Sequence, residues 1–300
     1  MYNGIINVYK EKGYTSHDVV AKLRGILRQK KIGHTGTLDP QAEGVLPVCL
    51  GTGTKLVDML TDKEKEYEAL LLLGVTTDTQ DTTGTVLEER PVIVSEEEAE
   101  RAILSFVGEY DQIPPMYSAV KVDGKKLYEL AREGKEIERK ARNVHILSIT
   151  ILSMELPRVR IRVKCSKGTY IRTLCHDIGE MLGCGGCMQE LVRTGVGHFT
   201  IDRALTLAEI EKLRDEDGLM EQIVAVEDAL TAYPVCAVKK TADRLLYNGN
   251  PLVPEMFQEE VSGQKQKPVR VYDSSRCFVG IYEYRPEKCA YYPVKMFLES

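Results

Sequence analysis

The chain has 300 residues, of which 43% are hydrophobic and 28% charged, with a formal net charge of −5. That length buries a core without staples, and no apolar run approaches the roughly 18 residues needed to span a bilayer. Eight cysteines, behind an N-terminus with no basic-then-apolar leader, read as reduced thiols filling a core; no disulfide framework is expected, and the expected compartment is the cytoplasm.

In chain order, residues 4–9 read as a strand ending at Lys12-Gly13. Ser16 is placed to cap a helix with Val19, Val20, Leu23, Ile26 and Leu27 on one face. Residues 30–44 form a polar, glycine-containing loop, closed by a strand over 45–50. A short helix at 54–60, a strand at 67–73 and a turn-rich loop at 76–84 follow. Ser95 and Glu98 make a capping box for a helix running to Phe106. A charged excursion at 121–142 holds a short helix at 125–132. Strands at 144–156 and 159–165 meet at Pro157, and 170–182 has helical spacing that stops at Gly183. Strands and helices mix without regular alternation, so the fold class is α+β. Near 227–234 the composition shifts, and short strands at 235–239, 269–272, 278–284 and 291–297 suggest a small β-rich module from 231 to 300 behind a main domain of 1–230.

The charge is segregated. Residues 10–31 hold seven basic and two acidic side chains, and residues 157–172 hold six basic and none acidic. Such clustering can put a basic face on an acidic protein, although on charge alone solvated faces are the plainer reading.

Most standard motifs are missing. Residues 51–55 lack the Gly-Lys-Ser/Thr order of a phosphate loop, and no nucleophile elbow, zincin helix or dinucleotide fingerprint is present. Residues 78–84 carry acids at the wrong spacing for a calcium loop and read as a turn. Cys184-Gly185-Gly186-Cys187 has Cys175, His176 and His198 nearby, but no second pair completes a zinc site. It reads as a glycine-rich helix stop, and no metal is expected. What remains is the loop Gly33-His34-Thr35-Gly36-Thr37-Leu38-Asp39-Pro40-Gln41-Ala42-Glu43-Gly44. Pro40 biases Asp39 toward extended backbone, which can aim its carboxylate outward. Read alone, an aspartate before proline is equally a turn former.

This loop, continued through Val45-Leu46-Pro47, resembles the signature of the TruB family of pseudouridine synthases. Further blocks resemble that family in the same order: 9–20, Lys65-Glu66-Tyr67, Thr77-Asp78-Thr79 with Asp81, 114–121, Gly168-Thr169-Tyr170-Ile171-Arg172, and Leu191-Val192-Arg193-Thr194. One departure stands out. Where the family often has Lys-Pro-x-Gly, this chain has Lys10-Glu11-Lys12-Gly13, which leaves that turn less restrained.

The resemblance implies a catalytic domain with a mixed, largely antiparallel sheet flanked by helices, and a small PUA-like C-terminal module. It implies Asp39 as the nucleophile, Arg172 beside it, and Tyr67 against the target base. Lys10, His34, Tyr170 and Leu191 are implied substrate contacts, as are Lys121, Lys125 and Lys126 of an RNA-gripping insertion over about 121–142. The implied reaction turns uridine into pseudouridine at position 55 of tRNA, on a base flipped from its stack, with no cofactor. The implied partner is the TΨC stem-loop, with no membrane or protein partner, and a monomer is expected. A tRNA-binding or folding protein with secondary or no catalytic activity is the alternative.

Overall fold

The structure is a computed structural model and describes residues 1–122, 124–259 and 268–298. Asp123 of the charged excursion, and residues 260–267 and 299–300 of the expected C-terminal module, lie outside the described residues. The large sheet runs in the order Ile223–Val224, Gly4–Lys10, Glu43–Leu50, Gly186–Val196, Lys65–Leu73, Arg158–Cys165, Arg142–Glu155 and Gly108–Gln112. Ile32–His34 pairs with Glu43–Leu50, and Phe199–Thr200 with Gly186–Val196. All pairings in this sheet are antiparallel except one. Glu43–Leu50 meets Gly186–Val196 in parallel, and only through Val192 with Glu43 and Arg193 with Gly44. Beyond those two residues the halves of the sheet part, which leaves room for a cleft at that junction.

Each half has its own apolar layer. Ile6, Val8, Leu46 and Val48 pack beneath the helices Ser16–Ile26 and Leu207–Asp215 through Val19, Leu23, Leu207 and Ile210. In the other half, Ala69, Leu71, Ile161 and Val163 pack against Ile171, Leu174 and Ile178 of the helix Ile171–Met181. Alternation in the strands and three-to-four spacing in the helices put these residues inward.

Several expected boundaries move. The first helix is capped by Thr15, whose side chain and that of Asp18 form a reciprocal box. Ser16 is instead buried, and its hydroxyl accepts from the Leu38 N–H at 2.9 Å. The 30–44 loop contains the strand Ile32–His34, and the helix expected at 54–60 begins as the 3-10 turn Gly51–Leu56 before Val57–Thr61. The 76–84 loop lies within a hairpin of Val75–Thr77 and Val86–Glu89. Cys184-Gly185-Gly186-Cys187 does more than stop a helix, because it leads into the strand Gly186–Val196. Glycine is needed there: a Cβ on Gly179 would sit 2.2 Å from the Gly186 nitrogen, so helix and strand approach backbone to backbone.

After Leu230 the chain enters a four-stranded sheet of Val235–Ala237, Val269–Tyr272, Phe278–Arg285 and Ala290–Met296. Its core includes Val238, Leu252, Val271, Tyr282 and Tyr291. Ile281 and Phe297 dock it on Ile5, Val45, Leu56 and Phe199. Lysines lock the seam: Lys55 Nζ donates to the Met296 carbonyl and Lys295 Nζ to that of Lys55, each at 2.6 Å. Among the described residues no helix is long and apolar enough to cross a membrane.

Six of the eight cysteines are buried and none forms a disulfide. Burial pushes the Cys49 thiol up to about 12 from its ordinary 9.0. Because the folded value lies above the unfolded one, this thiol favours the fold fully below pH 9 and loses that contribution between pH 9 and 12. Cys49→Ala is therefore expected to cost about 1 kcal/mol near neutral pH, and the gap to the wild type is expected to narrow near pH 10. Urea melts at both pH values check this, and a gap independent of pH contradicts it.

Candidate active site

The loop bearing Asp39 joins Ile32–His34 to Glu43–Leu50 and is held from three sides. The Gly13 N–H donates to the Pro40 carbonyl at 2.8 Å, and the Thr35 N–H to that of Pro47 at 3.1 Å. Arg193, 1% exposed, donates from Nε to the Val45 carbonyl at 2.7 Å and from Nη2 to that of Gly36 at 3.2 Å. Lys10 is fully buried, and its ammonium donates to the carbonyls of Ala42 at 2.6 Å, Glu11 at 3.1 Å and Pro40 at 3.2 Å. Backbone carbonyls inside a fold need donors, and these two cations supply them. Gly44 permits the close pass, since a Cβ there would lie 2.2 Å from the Arg193 carbonyl oxygen.

Lys10 sits beneath the loop as a brace, and it is not among the residues that line the cavity described below. The departure at Glu11 leaves the turn intact because Gly13, at φ +90°, and the Lys10 ammonium tie it to the loop. Burial pulls the Lys10 pKa down to about 8, while Glu43 and Asp39 act the other way. Lys10→Met strands three carbonyls, so a loss of about 1–3 kcal/mol is expected, with turnover falling more than RNA affinity. Denaturant melts and single-turnover assays check this; unchanged stability contradicts it.

Arg172 stands in the first turn of the helix Ile171–Met181 and is 4% exposed in its side chain. Its Nε lies 2.9 Å from Asp39 Oδ2, while Asp39 remains 42% exposed toward the cleft. Its Nη1 donates to the Thr79 carbonyl at 2.9 Å and lies 3.7 Å from Asp81 Oδ2; its Nη2 donates to the Tyr117 carbonyl at 3.0 Å. One planar guanidinium thus gathers three segments, which a point-charge ammonium would not do equally well. Asp81 is fixed in turn by the Thr79 hydroxyl at 2.8 Å and the Thr83 N–H at 3.0 Å. Thr173 pins the same loop through Gln80 at 2.7 Å.

Asp39, Asp81, Ala42, Glu43, Met188 and Leu191 line a cavity of about 260 Å³ with Lys12 at its edge. Leu191 lies on the strand Gly186–Val196, opposite Ala69. Tyr67 sits on the next strand opposite Arg193 and packs in the same apolar cluster as Leu38, Ala42 and Leu191. Burial raises the Tyr67 phenol above its ordinary 10.0, with Arg193 opposing, so the hydroxyl stays neutral near pH 7. Tyr170 precedes Arg172, and its backbone is clamped by Gln112 in both directions at 2.7 and 2.9 Å.

His34 is half-buried, edge-on to His17 at 5.3 Å between ring centres. Burial lowers its pKa, assisted by His17 and Arg193, so its ring is neutral near pH 7. Lys121, Lys125 and Lys126 do not line the cavity. They lie on a hairpin leading into the helix Leu127–Arg132, above a small core of Met116, Leu127 and Leu130. The Arg172 bond to Tyr117 links that subdomain to the cleft.

The basic run at 157–172 gives no free basic face. Arg160, Arg162, Lys164 and Lys167 pair with Glu190, Glu68, Glu64 and Asp62 at 2.7–3.1 Å, and Arg158 bonds Gln189. Among the described residues no cluster of three or more His, Cys, Asp or Glu could hold a metal ion.

Comparisons with known proteins place the chain in a family. Family models match in two adjoining stretches: the TruB family pseudouridylate synthase N-terminal domain over residues 24–171, and the tRNA pseudouridylate synthase B C-terminal domain over 172–231. The chain is 58% identical to tRNA pseudouridine synthase B of Lachnoclostridium phytofermentans, covering 99% of this chain and 100% of that protein. It is 45% identical to the Bacillus pumilus protein of the same name, covering 96% and 95%. Among solved structures it resembles a chain of a Cbf5-Nop10-Gar1 complex, with TM-score 0.75 and 30% identity over 98% of this chain and 85% of that one. It also resembles a chain of an H/ACA RNP bound to a substrate RNA containing 2'-deoxyuridine, with TM-score 0.73 and 27% identity over 99% and 85%.

Proposed function

The chain belongs to the TruB family of pseudouridine synthases, and from that premise we propose that it isomerises the uridine at position 55 of tRNA, in the TΨC loop, with Asp39 as nucleophile. Pseudouridine synthases are isomerases, and the balance is internal: the N1–C1′ bond breaks, the base turns, the C5–C1′ bond forms, C5 loses its proton and N1 takes one up. No electron or group donor enters that balance.

The observation that carries the reading is the 2.9 Å contact of Arg172 Nε with Asp39 Oδ2, beside a cavity that Asp39 lines together with the apolar Ala42, Met188, Leu191 and Val192 and the acids Glu43, Asp81 and Glu190. Arg172 turns one carboxylate oxygen inward and leaves the other free to act, an orientation that lowers the entropic part of the barrier. Tyr67 offers a flat, neutral ring against a flipped uracil, and Leu191 and Met188 close the apolar side, so that the freed base is retained through its rotation. His34 and Tyr170 act at the rim, and the hairpin with Lys121, Lys125 and Lys126 grips phosphates from across the cleft.

Turnover on a TΨC stem-loop, compared with ribosomal and messenger RNA fragments of equal length, tests the substrate. The TΨC stem-loop is expected to turn over fastest. Faster turnover on either other RNA overturns the substrate assignment and leaves the reaction standing.

A further inference from the structure

The two basic runs of the sequence have opposite fates in the fold. Those on the strand Arg158–Cys165 and just after it are matched by acids. Those on and around the helix Ser16–Ile26 are not. Lys12, Lys22, Arg28, Lys30 and Lys31 are all exposed, and among the described residues none has an ion-pair partner. The stretch also carries two acids, Asp18, which caps the helix with Thr15 and attracts Lys22, and the exposed Glu11, so these five cations outnumber the carboxylates beside them.

One of these cations stands at the cleft itself. Lys12 is the single cationic side chain on a cavity wall otherwise carrying Asp39, Glu43, Asp81 and Glu190. Lys22 Nζ lies 5.0 Å from the ring centre of Tyr14, two residues beyond Lys12. The helix begins against the Asp39 loop, where Ser16 receives the Leu38 N–H, and runs roughly 15 Å away at 1.5 Å per residue. Arg28, Lys30 and Lys31 lie past its far end.

The geometry points to a second RNA-binding surface: a phosphate track from Lys12 along the helix Ser16–Ile26 to Lys31 that receives the duplex strand leading to the flipped uridine. This rests on the proposed function for the identity of the polyanion. The charge complement supports it, since an excess of cations beside an acid-lined pocket draws a phosphate backbone past the pocket while excluding phosphate from its interior.

The test compares two triple variants with the same loss of charge. Lys22→Gln/Arg28→Gln/Lys30→Gln removes the track, and Arg162→Gln/Lys164→Gln/Lys167→Gln removes three paired cations. Binding of an unmodified tRNA is measured from low to moderate salt, with turnover at limiting and saturating RNA. The track variant is expected to bind roughly tenfold more weakly, with a salt slope reduced by roughly 2–3. Its KM is expected to rise while kcat holds, and the paired-cation variant is expected to stay within about twofold of wild type in affinity. Equal weakening of both variants reduces the effect to net charge and overturns the track, as does unchanged affinity in the first. If wild type makes no pseudouridine but the track variant still loses affinity, the surface stands and the assigned reaction falls.

Discussion

Asp39→Asn is expected to lower turnover on the order of 10⁵-fold, the scale seen when a nucleophile is removed, while tRNA affinity stays within a few-fold of wild type. The substitution keeps the shape of the side chain and its place beside Arg172, so what it removes is the anion. The structural cost is small. Asp39 is 42% exposed, and Arg172 keeps its bonds to Thr79 and Tyr117, so melting is expected to shift by less than about 1 kcal/mol. Single-turnover assays with binding measured in parallel separate the two readouts. Turnover within tenfold of wild type removes Asp39 from the chemistry.

Arg172→Lys is the second large effect, and it differs in kind. The charge survives, but an ammonium cannot meet Asp39, the Thr79 carbonyl and the Tyr117 carbonyl in the geometry of the guanidinium. The buried site is then left with unmatched acceptors, and a stability loss of about 1–3 kcal/mol is expected. Misaiming Asp39 is expected to cost turnover about 10²-fold or more. Arg172→Lys should therefore lose both activity and stability, whereas Asp39→Asn loses activity alone. Wild-type melting in Arg172→Lys contradicts the account of this side chain as the junction of three segments.

The local parts of the fold were legible in sequence because their signals are local. The capping box of Ser95 and Glu98, the apolar face of the first helix and the strands around Pro157 each follow from residues a few positions apart. The central strand Gly186–Val196 was not legible. It opens on paired glycines, and register shifts at Met188/Glu190 and Arg193/Gly195 break the two-residue alternation that marks a strand. Its place between Glu43–Leu50 and Lys65–Leu73 rests on pairings more than a hundred residues apart.

The candidate site divides in the same way. The Asp39 loop and the Arg172 block stood out as motifs, but their meeting is a property of the sheet junction. Arg193 was visible only as part of a matching block, and nothing in its neighbours announces that its guanidinium is wholly interior and ties the Asp39 loop. Asp81 read as a turn residue, which it is, yet the turn is folded against Arg172. Lys10 is implied as a substrate contact by the resemblance of its block, which carries no sign of its burial. Only the tertiary positions of the Pro40 and Ala42 carbonyls reveal its use as a brace. The basic run at 157–172 was legible as charge, but its neutralising acids come from three other segments.

The most direct test of the central claim is to incubate wild-type protein with full-length unmodified tRNA, without added cofactor and in chelator, and to map pseudouridine by adduct formation and primer extension. A single new stop at position 55 is the predicted result. Tight binding of that tRNA with no pseudouridine at any position would contradict the account and leave an RNA-binding protein in its place.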